Sequence, residues 1–189
     1  MRAFLAIPLQ PPALEDFRRL RERLVTDVPA VRWAPADSPH ITLHFFGTVS
    51  PHGAERALVA LRPLLGAQPR MSLNLRGLGS FPSAGQPRVL WCGVDGDVRA
   101  LKACARACAD ALDATGFPVE HRPYRAHCTV GRSRQPWPAH ARERWQQQVG
   151  DEPRTPTFTA DRAILYESLM GAAGVRHIPR EVLALGTSP

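Results

Sequence analysis

Lysine is all but absent. Lys102 is the only one, although Lys+Arg total 24 against 17 Asp+Glu and the formal net charge is +7. A phosphate-cradling loop needs a lysine behind its glycines, and a nucleotidyl-lysine ligase needs one as nucleophile. Lys102 lies in an Ala-rich helical stretch and no G-x-x-x-x-G-K-[ST] occurs, so both chemistries are excluded. Long apolar runs are missing as well: none approaches the roughly 18 residues of a membrane span. Pro8 closes the opening run Met1–Ile7 before it reaches the length of a secretory core, which predicts a cytoplasmic protein. The four cysteines (Cys92, Cys104, Cys108, Cys128) come without an export signal, which argues against a disulfide framework.

What is plentiful is arginine. It suits planar, bidentate contact with phosphate, although a coding bias towards arginine would give the same composition. With 44% hydrophobic residues the chain can bury a core, as one compact unit or as two small lobes sharing a cleft. Cys104-x3-Cys108-x12-His121-x5-His127 meets the loose spacing of a two-Cys, two-His zinc finger. Its context argues otherwise. The cysteines fall on the apolar stripe Val98, Leu101, Cys104, Ala105, Cys108, Leu112, and Pro123 stands between the histidines where a finger has its helix. No metal and no cofactor are expected.

Periodicity predicts strands at 2–7, 40–46, 71–77, 87–94, near 124–131, near 156–167 and 175–185, with an extended stretch at 31–33. It predicts helices at 12–26, from Ser50-Pro51 to about Gly66, and at 97–114, with a short helix possible within 136–149. No Gly-rich nucleotide-binding turn follows the first strand. The pattern is α+β with antiparallel or mixed sheets.

One echo connects the two halves: His40-Ile41-Thr42-Leu43 and His127-Cys128-Thr129-Val130. Seven histidines and nine threonines in 189 residues supply about 0.3 His-x-Thr triplets by chance, and two are present. Alternation along a strand turns Ile41, Leu43 and Phe45 to a core and His40, Thr42 and His44 to the opposite face. The same parity turns Cys128 and Val130 inward and His127 and Thr129 outward. Two imidazoles straddling a phosphate can serve as general base and general acid, and threonine hydroxyls can donate to its non-bridging oxygens. His40-x3-His44 cannot be a metal pair on a regular strand, because four residues span about 13 Å.

In these motifs the chain resembles the two-histidine phosphoesterase superfamily and, within it, the bacterial RNA 2',3'-cyclic phosphodiesterase branch, also called 2'-5' RNA ligase. The matching stretches are Arg2–Ile7, Val31-Arg32-Trp33, His40–Gly47, Arg88–Trp91, Arg122–Arg132 and Leu165-Tyr166-Glu167-Ser168 followed by Gly174. The resemblance implies two pseudo-symmetric lobes around a central cleft, each an antiparallel sheet with helices outside, in a single domain over 1–189. It implies hydrolysis of RNA 2',3'-cyclic phosphate ends to 2'-phosphate ends, with His40 as acid and His127 as base. Thr42 and Thr129 would hold the phosphate, and Arg132 would add a contact. The chain departs from the family at Ala126, where proline is frequent, at Cys128, where an aliphatic residue is usual, and at His177, where tyrosine is frequent.

The expected partner is therefore RNA with a 2',3'-cyclic phosphate end, or a small cyclic nucleotide, bound by a monomer away from any membrane. Alternatives are a 2'-5' oligonucleotide substrate, the reverse ligation, or a non-catalytic RNA-binding module. The acid–base pair predicts a bell-shaped pH dependence with limits flanking neutrality.

Overall fold

Every predicted element finds a counterpart in the computed structural model, which describes residues 1–28, 31–83, 85–120, 122–133, 136–171 and 174–186. The strands are β1 (Arg2–Pro8), β2 (Arg32–Trp33), β3 (His40–Thr48), β4 (Met71–Ser83), β5 (Gln86–Gly96), β6 (His127–Arg132), β7 (Phe158–Ala160), β8 (Arg162–Gly171) and β9 (Gly174–Ala184). The helices are α1 (Ala13–Asp27), α2 (Pro51–Gly66), α3 (Val98–Ala114) and α4 (Ala139–Gly150).

All strand pairs are antiparallel, in the order β7-β4-β5-β6-β3-β1-β8-β9, with β2 added beside β6. Between β6 and β3 the ladder narrows to one register pair, Ile41 with Cys128. The sheet is thus two half-sheets, β3-β1-β8-β9 and β7-β4-β5-β6-β2, stitched at their inner edges. This is the α+β, two-lobed arrangement that the resemblance implied.

The helices cover the face away from the cleft. Phe17, Leu20 and Leu24 of α1 recur at helical spacing and are buried. In α3 the stripe Leu101, Cys104, Ala105, Cys108, Leu112 is buried throughout. Ser50 caps α2 by accepting from the Gly53 amide at 3.0 Å, and Pro51 occupies the first turn, as the sequence indicated. Helices α2 and α3 pack on each other, with α2 against β9 and α3 against β3, while α4 lies on β4.

β1 is buried on both faces. Leu5 and Ile7 enter the main core, whereas Phe4 and Ala6 join Tyr166 in a second, small cluster on the cleft side. Burying a side chain such as Leu5 contributes roughly 1.5–3 kcal/mol.

Two boundaries differ from the periodicity. The strand expected near 156–167 is broken at Asp161, because β7 pairs with β4 in one half-sheet and β8 with β1 in the other. The break is marked by a change of phase at Asp161-Arg162: Phe158 and Ala160 are buried before it, Ala163 and Leu165 after it. The strand expected from 124 begins only at His127, since Pro123 and the tethered Tyr124 precede it.

Candidate active site

The stitch between the half-sheets is also the centre of both motifs. Ile41 lies between His40 and Thr42, and Cys128 lies between His127 and Thr129. An antiparallel register centred on Ile41 and Cys128 sets His40 beside Thr129 and Thr42 beside His127. Ile41, Leu43, Cys128 and Val130 are buried in the core, while His40, Thr42, His127 and Thr129 are half-buried on the cleft face. The Tyr124 hydroxyl donates to the Thr42 carbonyl at 2.9 Å, tying the approach to β6 onto β3.

Both imidazoles are oriented by the same device. His40 donates Nδ1–H to the Ser38 carbonyl at 2.7 Å, and His127 donates Nδ1–H to the Arg125 carbonyl at 2.7 Å. A carbonyl can only accept, so each neutral ring is fixed with its proton on Nδ1 and a lone pair on Nε2. His40 rests on Phe4 at 4.7 Å between ring centroids, with Tyr166 at 5.8 Å and the His177 ring edge-on at 5.2 Å. His127 meets Phe81 edge-on at 5.3 Å, with Trp91 at 6.5 Å. His177 is held from behind, its Nδ1 sharing a hydrogen bond with Ser168 Oγ at 3.3 Å.

This packing sets the protonation state. Burial lowers the His40 pKa to about 4, against the pull of the Ser38 carbonyl. His127 and His177 are also lowered, first by burial, and the Arg132 guanidinium pushes all three histidines the same way. In the free protein the imidazoles are neutral at pH 7.

The structure corrects the expected faces of two residues. Strict alternation put Phe45 in the core and His44 beside Thr42. Instead Phe45 is 58% exposed and His44 is buried, with its ring edge-on to Phe46 and its Nε2 without a hydrogen-bond partner. The cause is a bulge: β1 residues Leu5 and Ala6 pair with His44 and Thr42, so Leu43 is passed over and the parity inverts. β6 repeats the irregularity, because Leu90 and Trp91 pair with Gly131 and Thr129 and Val130 is passed over. Alternation alone would turn Arg132 inward; the bulge brings it to the cleft face. Phe45 and Arg132 each stand three residues after their threonine.

Among the described residues no group of three or more His, Cys, Asp or Glu side chains is placed to hold a metal ion. Cys104 and Cys108 lie on the buried face of α3, and His121 of the finger-like spacing lies outside the described residues. The sequence reading did not single out Phe4, Tyr124, Tyr166 or Phe81 as neighbours of the motifs. Only long-range pairing brings them there, and their apolar character reads equally as core.

A family described as the 2'-5' RNA ligase superfamily matches residues 8–171. The chain belongs to that superfamily. A superfamily relative from Geobacillus stearothermophilus, named RNA 2',3'-cyclic phosphodiesterase, is 27% identical over 175 residues, covering 88% of this chain and 52% of the relative. The chain thus spans about half the length of that protein. A Methanothermobacter thermautotrophicus protein of the same name is 30% identical over 136 residues, covering 72% of this chain and 73% of the relative. A crystal structure from Thermus thermophilus overlays with a TM-score of 0.79 at 20% identity, covering 98% of both chains, which places the superfamily chain in the same fold.

Proposed function

We propose that this chain hydrolyses the 2',3'-cyclic phosphate end of RNA to a 2'-phosphate, with His40 and His127 as catalytic residues. The observation that carries this reading is the pair of imidazoles locked in one tautomer on facing strands, each accompanied by a threonine. His127 Nε2 takes a proton from water as the water oxygen bonds to phosphorus. The bond from phosphorus to the 3'-oxygen breaks, and protonated His40 delivers its Nε2 proton to that oxygen. Thr42, Thr129 and Arg132 donate to the non-bridging oxygens as charge develops there.

Because burial leaves His40 neutral in the free protein, the acid must be charged as the anionic phosphodiester enters, when an opposite charge favours the imidazolium. Phe45, exposed on the same face and 6.0 Å from the Phe4 ring, offers a surface on which the terminal base stacks.

Supporting the reading are the superfamily membership and the name that the Geobacillus and Methanothermobacter relatives share. The same reading takes residues 1–189 as one bilobal domain, acting as a monomer in the cytoplasm. No helix among the described residues is long and apolar enough to cross a membrane.

The test is incubation of purified protein, in EDTA, with a short RNA ending in a 2',3'-cyclic phosphate, and identification of the product isomer. A 2'-phosphate product lost in His40→Ala, with RNA affinity retained, supports hydrolysis. A 3'-phosphate product, or RNA binding with no turnover, overturns it.

A further inference from the structure

His177 stands in the cleft as a third imidazole, and the proposed reaction gives it no part. It is the register partner of Ser168 across the β8–β9 hairpin, and its Nδ1 shares a hydrogen bond with Ser168 Oγ at 3.3 Å. Its ring meets His40 edge-on at 5.2 Å and Phe4 at 4.9 Å, while Phe4 and His40 lie 4.7 Å apart. Three rings in mutual contact leave no room for a screening layer of water between the two imidazoles. A charge on one is therefore felt at the other.

Few ionisable groups surround His177. They are His40 from β3, Asp37 from the segment before it, Arg132 from β6, and the Tyr166 phenol from β8, 6.5 Å away between ring centroids. Glu167, between Tyr166 and Ser168 on β8, is engaged by Arg180, and Arg176 is exposed. Burial works against a proton on His177 and the Asp37 carboxylate works for it, with Arg132 opposed. Among the described residues, Asp37 is the one carboxylate that acts on any of the three imidazoles. Its place is tied to the site: Ser38 Oγ donates to it at 3.1 Å, and the Ser38 carbonyl holds His40. His40 has no such carboxylate. After burial, the charge of His177 is the largest obstacle to its proton, ahead of His127 and Arg132.

Two touching imidazoles with unequal partners take up protons in order. As pH falls, the first goes to His177, beside Asp37, and its charge then opposes the proton that His40 must carry. Resting on the hydrolase reading with His40 as the acid, we propose that His177 is a positioning residue that governs when His40 can act. Neutral, it is an aromatic wall beside which His40 is charged as the phosphate enters; protonated, it holds that charge off. The acid side of the rate profile then belongs to His177 as well as to His127, and turnover stops rising while His40 is still mostly neutral.

The experiment follows the His40 and His177 Cε1–H resonances from pH 3 to 8 in the wild type, His177→Phe and Asp37→Asn. His177→Phe keeps an aromatic ring and removes the charge. More apolar surroundings alone would lower the His40 midpoint, so a rise reports the lost charge. A rise of about one pH unit is expected, a tenfold easier protonation. Asp37→Asn keeps an acceptor for Ser38 and should lower the His177 midpoint. On adenosine 2',3'-cyclic phosphate, kcat/KM at pH 5 relative to each variant's own value at pH 7 should rise about tenfold in His177→Phe over wild type. In Asp37→Asn the pH at which kcat/KM stops rising should move down.

The His40 Nδ1–H signal, seen while the ring stays on the Ser38 carbonyl, checks that His177→Phe has not released it. If it has, Asp37→Asn, which leaves every ring in place, decides. A His40 midpoint unmoved or lowered in His177→Phe with that signal kept overturns the proposal, as does Asp37→Asn that moves neither the His177 midpoint nor the rate profile. A KM raised equally at every pH, with the His40 midpoint unmoved, also overturns it and makes His177 a phosphate contact instead. Wild type that hydrolyses no cyclic phosphate overturns the hydrolase reading, and the resonances then decide by themselves whether His177 governs the charge of His40.

Discussion

Cys128 sits opposite Ile41 at the one register pair that joins the half-sheets, with its side chain buried among core residues. Burial raises its thiol to about 12, so at neutral pH it is neither a thiolate nor accessible. Cys92, Cys104 and Cys108 are buried too.

Alkylation should therefore leave the native protein untouched. Treatment with N-ethylmaleimide at pH 7 is expected to add no mass within minutes and to leave turnover unchanged, while the denatured chain should gain four adducts. Rapid native labelling with loss of activity would show that the stitch opens.

Burial of the imidazoles also moves the expected pH profile. The productive state holds one proton on the His40–His127 pair, and both pKa values are lowered. Above about pH 7 the singly protonated form becomes tenfold rarer per pH unit, so log kcat/KM should fall with a slope near −1. The bell predicted around neutrality is thus displaced to its acid side. A flat rate from pH 7 to 8.5 would contradict this.

Stability should follow the same groups with a definite sign. The folded His40 pKa of about 4 lies below its ordinary 6.5, so within that window the unfolded chain binds a proton that the folded chain refuses. Stability is full above pH 6.5 and falls as pH drops towards 4, by up to about 3 kcal/mol from this group. His40→Asn keeps a donor for Ser38 without the titration. Thermal melts at pH 7 and pH 5 should differ less in that variant than in the wild type.

The threonines should matter less than the histidines. Removing one donor to developing charge costs about 2.7–4 kcal/mol, so Thr42→Ala and Thr129→Ala should each retain measurable turnover. Because the motifs are centred on one another, the two losses should be similar. Thr variants as inactive as His40→Ala, while folded, would refute the division of labour.

Phe45→Ala should raise KM for a cyclic nucleotide by about tenfold with little change in kcat, the value of one stacked base. The kinetic split is the check. A fall in kcat at constant KM would mean that Phe45 supports His40 rather than the base.

The sequence showed the motifs because they are local, two residues of fixed spacing on strands whose apolar partners alternate. Helix positions were equally legible from Phe17–Leu20–Leu24 and from the Ser50-Pro51 start. The destinations of Phe45, His44 and Arg132 were not, because the bulges at Leu43 and Val130 exist only in the pairing with β1 and β5. The break at Asp161, where the chain changes half-sheet, was legible but is overlooked by a single strand over 156–167: the buried positions shift phase from Phe158 and Ala160 to Ala163 and Leu165 across the polar pair Asp161-Arg162.

That changing of sides has a consequence for how the protein can be divided. In chain order β1 belongs to one half-sheet, β2 to the other, β3 to the first, β4 to β7 to the second, and β8 and β9 to the first again. No contiguous fragment carries a complete half-sheet without strands of the other, and either half alone would present one imidazole and one hydroxyl. The two halves are interlaced like the fingers of clasped hands, and a gene cut at any single point would sever partners rather than release a working unit.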